Sequence, residues 1–330
     1  MSAARVPSWI YLLGYFVAVV VCGAALAPWL HALGKGYVQF AAERGWQSTP
    51  LLGPLMREAD KAEFQRYFNR SVLVCALLWL WPAARLLRVR GGEIPGFRWK
   101  PGDGRDLACG FFLAALGLLA MGAILYRMGV FQWNKKVDPG SLFLVAGIAA
   151  VAVALVEEWL FRGAFTAVFA RTFGPFTTLW GVALLFAVLH FMEPPDNLRI
   201  PDEAVGATTG FQLAGVMLGR LGQVETFTGA FLALLLVGLM LGWARLATGR
   251  LWLGIGLHAG WVFALKIFSG LTRRSRKADE IIDPFWIGAD LRTGAMPLFF
   301  LAATAALLAI YLRMTRRTRA GRPYPGKQIG

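Results

Sequence analysis

Apolar residues in this chain run in long blocks, with most charges gathered between them. Blocks of spanning length lie at about 9–30, 71–88, 107–126, 141–170, 174–192, 226–247, 251–269 and 294–312, and about 20 apolar residues let a helix cross a bilayer. The pattern predicts an all-α, polytopic integral membrane helical bundle of about eight transmembrane helices, forming one membrane domain over 1–330. The first block ends at Ala25-Leu26-Ala27, similar to a cleavage site, yet it is longer than a signal peptide requires and only Arg5 precedes it. It reads as a retained span.

The connections are less regular. Region 31–70 mixes charged and apolar residues, as in Met56-Arg57-Glu58-Ala59-Asp60-Lys61, and is expected to form an interfacial helix. His31 follows the first span with no charged neighbour in sequence and reads as an interfacial histidine. Region 193–225 opens with Glu193-Pro194-Pro195-Asp196-Asn197 and becomes glycine-rich from Ala204 to Gly222. Two forms suit it equally, a half-inserted lid over a cavity and a surface helix joining two spans.

Composition agrees with a membrane protein: 57% of residues are hydrophobic and 16% charged. The formal net charge of +15 would suit nucleic acid, but the basic residues sit in short loops and in a tail at 313–330 beside apolar spans. That placement points to retention on the cytoplasmic side of a membrane, here expected to be a bacterial cytoplasmic membrane, and no nucleic-acid partner is expected. The three cysteines, Cys22, Cys75 and Cys109, fall in spans and read as packing residues.

Against this background the charges inside 141–170 stand out. Glu157, Glu158 and Arg162 lie in an apolar run, where charge is costly and by default marks function. On a helix, Glu158 and Arg162 share a face while Glu157 diverges by about 100°. The first two therefore pair, and Glu157 is left free to work. Two of the three histidines, His190 and His258, also lie in spans. Glu157 is about 15 residues before the turn at Phe173-Gly174-Pro175 and His190 about 15 after it, so both stand about 22 Å from that face. His258 is only about 8 residues beyond Gly249-Arg250 and reaches their level if that turn is recessed or the helix tilts. Gly254, Gly256 and Gly260 permit close approach of its helix to a neighbour.

Glu157-Glu158-x-x-x-Arg162, followed by Phe186-x-x-x-His190 and by His258 in a glycine-rich helix, resembles the CPBP intramembrane protease family, which includes the CAAX prenyl endopeptidases of Rce1 type. The resemblance covers about 141–270. It implies an all-helical membrane core that hydrolyses a peptide bond within or beside the bilayer. It further implies that Glu157 and His190 activate a water, that Glu158 and Arg162 support them, and that His258 serves the oxyanion. Four residues after that histidine the family usually has Asn, whereas this chain has Val262, which donates no hydrogen bond.

The leading expectation is an intramembrane endopeptidase acting on a membrane-anchored peptide or protein. A carboxylate in a low-dielectric site suits the base and then the acid role. Glu157, His190 and His258 also match the ligand set of catalytic zinc, although no HExxH spacing is present. A metal-free mechanism is preferred, with zinc on those three residues as its rival. A non-catalytic membrane binding or self-immunity protein on the same scaffold is the alternative, and a proton-coupled transporter ranks last.

Overall fold

In hydrocarbon every backbone N–H and C=O must find its partner within the chain, which makes the helix the default for each apolar block. The computed structural model describes residues 7–49, 56, 59–89, 94, 97–135, 137–191, 198–220, 228–281, 285–287 and 291–319. Its main helices are α1 (Ser8–Glu43), α2 (Phe64–Leu86), α3 (Asp103–Arg127), α4 (Pro139–Glu158), α5 (Pro175–Phe191), α6 (Thr209–Arg220), α7 (Thr228–Thr248), α8 (Trp252–Leu271) and α9 (Ala295–Arg319). Among the described residues six segments are long and apolar enough to cross a membrane: Trp9–Glu43, Asp103–Arg127, Leu142–Ala170, Gly229–Thr248, Trp252–Leu271 and Ala295–Thr315. The chain is a polytopic membrane helical protein.

All eight apolar blocks are helical, but two fall short of spanning. Arg66, Arg70 and Arg85 bracket the apolar part of α2, and α5 has 17 residues, about 25 Å of helix against a core of about 30 Å. The first block also extends further than its hydropathy suggested. α1 continues past Pro28 to Glu43, so His31 lies inside a helix and not in a loop. A short antiparallel ribbon, β1 (Phe131–Trp133) with β2 (Thr272–Arg274), pairs Phe131 with Arg274.

The chain divides into two compact units, one formed by Met1–Arg90 with Phe191–Val224 and the other by Gly91–His190 with Glu225–Gly330. In the first, Ala24 and Ala27 of α1, Phe64 and Phe68 of α2, and Leu213, Ala214 and Met217 of α6 form one buried cluster. The segment before α6, which includes a 3-10 turn at Asp202–Ala204, joins it through Leu198, Ile200 and Val205. Residues 204–220 are thus a turn and a helix docked on α1, with Gly210 seated against the Ala24 backbone. The opening residues 193–197 and the stretch 221–227 lie outside the described residues, as do Arg57 and Glu58 of the proposed interfacial helix.

His31 departs from its expected role. It is 5% exposed, with Nε2 3.0 Å from Asp202 Oδ1, while Lys35 Nζ lies 2.9 Å from Asp202 Oδ2. The missing charged neighbour is supplied by a residue 171 positions away.

The second unit is built around α8. Gly256 and Gly260 press against backbone carbonyls of Leu107 and Phe111 on α3, and Gly110 of α3 presses back on Leu253. Side chains at these points would overlap backbone, so small residues set the α3–α8 separation. Ala150 and Ala154 of α4 cover a second face of α8 at Leu251, Ile255 and Ala259. Helices α7 and α9 complete the core through Leu241, Ala244, Leu308 and Leu312.

Candidate active site

The chain leaves α-helical geometry at the end of α4. From Trp159 to Phe165 it is π-helical, and a last α-helical turn runs from Thr166 to Ala170. π segments inside α-helices are frequent at functional sites. The Thr166 N–H goes to Phe161 O and Gly163 O, and its hydroxyl also donates to Phe161 O at 2.9 Å.

Glu158 and Arg162 are buried, at 0% and 1% exposure, and Arg162 Nη1 donates to Glu158 Oε1 at 3.0 Å. Three further contacts hold the arginine. Its Nη2 donates to Gly238 O at 3.3 Å, its carbonyl accepts from Arg245 Nε at 3.2 Å, and its guanidinium lies 4.4 Å from the centre of the Phe186 ring. A buried charge needs a partner and good hydrogen bonds together; Glu158 and Gly238 supply these at Nη1 and Nη2, and Nε has no partner among the described residues.

His258 is 5% exposed, and its Nδ1 donates to Glu158 Oε1 at 2.9 Å. His190 Nδ1 donates to Phe186 O at 2.9 Å, an acceptor that fixes the tautomer. Each ring therefore turns Nε2 toward Glu157, whose Oε2 lies 3.6 Å from His190 Nε2 and 3.7 Å from His258 Nε2. That oxygen is buried and has no direct hydrogen-bond partner. One carboxylate oxygen thus faces two imidazole nitrogens across gaps slightly wider than a hydrogen bond, a polar setting suited to one bridging water.

His258 reaches this level, and the α7–α8 turn that precedes it is packed into the unit. Leu251 is buried, and Arg250 is paired with buried Asp103 and donates to Arg98 O at 3.3 Å. The aromatic residues Phe97 and Trp99 pack on Trp252, the first residue of α8. Gly254 brings α8 against the acid pair: a Cβ there would lie 2.8 Å from Glu158 Oε2.

Glu157, Glu158, Arg162, His190 and His258 are therefore neighbours. Val262 packs with the α4–α8 apolar cluster of Ala150, Ala154 and Ala259, and Asn197, a conceivable substitute donor, lies outside the described residues. For zinc, all three ligands must converge at about 2.0–2.2 Å. Among the described residues no three His, Cys, Asp or Glu side chains are arranged to hold a metal ion, so no step below runs through one. Two participants escaped sequence reasoning. Phe186 was noted only as a motif position, yet it contributes both its ring and its carbonyl. Arg245 gives a weaker sequence signal than Arg162, because it stands in the last turn of α7, where a basic residue is ordinary.

Neither the curated proteins nor the solved structures compared with the chain gave a match. Residues 139–264 match the model of the type II CAAX prenyl endopeptidase Rce1-like family. That stretch, 139–264, with the clustered acids and histidines, is a domain of the Rce1-like type II CAAX prenyl endopeptidase family.

Proposed function

We propose that the chain is an intramembrane endopeptidase that hydrolyses a peptide bond of a membrane-anchored peptide or protein. The observation that carries this reading is the unpartnered Glu157 Oε2 between two imidazole Nε2 atoms. Neutral His190, with Nδ1 committed as donor, offers a lone pair at Nε2 beside Glu157 Oε2, and a water satisfies both acceptors with its two O–H groups. Glu158 and Arg162 cancel, so a proton on one histidine neutralises the charge of Glu157 in a site where net charge is costly.

The step follows from those positions. Glu157 takes a proton from the water while His190 Nε2 accepts the other O–H and orients the oxygen toward the scissile carbonyl carbon. As the C–O bond forms, a doubly protonated His258 donates from Nε2 to the developing oxyanion, with Nδ1 still held by Glu158. Glu157 then passes its proton to the amine as the C–N bond breaks.

A second reading has its own observation. Val262, apolar and packed against α4, stands where the family usually has a donor, which favours a non-catalytic membrane binding or self-immunity protein on the same scaffold. Cleavage of a mixture of membrane-anchored peptides by purified protein in lipid decides between them. Wild type, Glu157→Ala and Glu158→Ala are compared with and without chelator. Products that disappear with Glu157→Ala and survive chelation support the metal-free protease, and loss on chelation moves the chemistry to a metal held by Glu157, His190 and His258. A folded wild type that yields no product across the panel supports the binding protein.

A further inference from the structure

The chemistry proposed for Glu157 depends on where α4 places it, and a π-helical segment begins one residue after Glu158. In an α-helix the Thr166 N–H would serve Arg162 O. Here it serves Phe161 O and Gly163 O instead, and Arg162 O receives Arg245 Nε at 3.2 Å. Arg245 and Gly238 are seven residues apart on α7, two turns on one face, and Gly238 O accepts the Arg162 guanidinium at 3.3 Å. One helix therefore holds Arg162 at its side chain and at its main chain. From Arg162 the contacts run to Glu158 Oε1 at 3.0 Å, from that same oxygen to His258 Nδ1 at 2.9 Å, and from His258 Nε2 to Glu157 at 3.7 Å.

We propose that Arg245 is a positioning residue: its Nε donation to the Arg162 carbonyl holds the π-helical segment, and thereby Glu158 and His258, in the register the reaction uses. The proposal rests on the protease reading. Arg245 stands in the last turn of α7, and its planar fork supplies several donors that remain charged. Removing the Nε donor lets the segment return toward α-helical bonding, where Arg162 O is served by Thr166 N–H and the Glu158 carboxylate turns with the backbone. A positional error near 1 Å is enough to cost about 10²-fold in rate.

The test uses two uncharged side chains that differ in the group they place at the ε position. Arg245→Gln keeps an N–H at the position of Nε, and Arg245→Met puts a methyl there. Full-length protein in lipid is assayed on an anchored peptide that wild type cleaves, and amide hydrogen exchange is read over 159–167. The expected result is a kcat about 10- to 100-fold lower for Arg245→Met, with KM within about twofold, faster exchange over 159–167, and recovery of both in Arg245→Gln. Wild-type turnover by Arg245→Met, or equal loss in both variants, overturns the proposal. If wild type itself gives no turnover, the protease reading fails. The exchange data then decide alone: faster exchange with Met that Gln restores supports the positioning role, and unchanged exchange overturns it.

Discussion

At the residue scale, the site is sensitive to atoms that carry no charge. Gly254 faces Glu158 Oε2, and an added Cβ would sit 2.8 Å away, closer than side chains tolerate. Gly254→Ala therefore displaces the carboxylate that holds His258 Nδ1. We expect kcat on an anchored peptide to fall about 10- to 100-fold, while Gly147→Ala, whose Cβ on α4 meets nothing within 4 Å, leaves it unchanged. Equal rates in the two variants would show that Glu158 does not set the position of His258. Val262 gives the opposite sign. Val262→Asn introduces a donor four residues after His258, and one oxyanion donor contributes about 2.7–4 kcal/mol to a transition state. The expected outcome is a rise in kcat with KM little changed, at a cost of about 1–3 kcal/mol in stability for an amide among Ala150, Ala154 and Ala259. A variant with lower Tm and no gain in kcat would remove the position from the chemistry.

At the element scale, the segment before α6 is held on α1 by charge as well as packing. The hydrogen bond from Lys35 above all, with a second from His31, holds Asp202 below the ordinary carboxylate range despite partial desolvation. The folded value lies below the unfolded value of about 3.9, so the stabilisation is complete above about pH 4 and is lost as pH falls through the folded value. Because the Asp202 side chain is 48% exposed, the effect is small, about 0–1 kcal/mol. Protection of the amides over 198–209, measured against the intrinsic exchange rate at each pH, should fall on acidification in wild type and be low at every pH in Asp202→Asn; a wild-type protection indifferent to pH would show that packing alone holds the segment. This clasp also shows what sequence leaves hidden. Glu158 with Arg162 was legible because four residues on one helix fix a face. Glu157 with His190 was legible because counting from a shared turn fixes depth. His31 with Asp202 joins elements 171 positions apart, and no local period reports that. The π-helical segment left no trace either, since its residues suit an α-helix equally well and the difference lies in bonds that α7 supplies.

At the scale of the whole molecule, the reacting groups are far from the turn between α4 and α5, and His190 stands at the opposite end of α5. Glu157 is about 13 residues from Ala170, and His190 about 15 from Pro175, which places them about 20 and 22 Å from the turn between α4 and α5. Counted from that turn, the site lies about 8–10 Å short of the opposite face of a hydrocarbon layer about 30 Å thick. It is not sealed, because the Glu157 and His190 side chains are each 27% exposed. Water reaches such depth only sparingly, and a polar peptide dissolved in water has to leave its solvent to follow. A membrane anchor removes much of that barrier, since each buried methylene contributes about 0.8 kcal/mol to partitioning. One peptide sequence presented with and without an acyl anchor should therefore differ in kcat/KM by at least about 10²-fold in proteoliposomes. The difference should shrink in detergent, where the bilayer no longer limits access. Equal rates for both forms in lipid would mean that substrate arrives through water, and the reading of this chain as a protease of membrane-anchored chains would have to give way to one with an aqueous substrate.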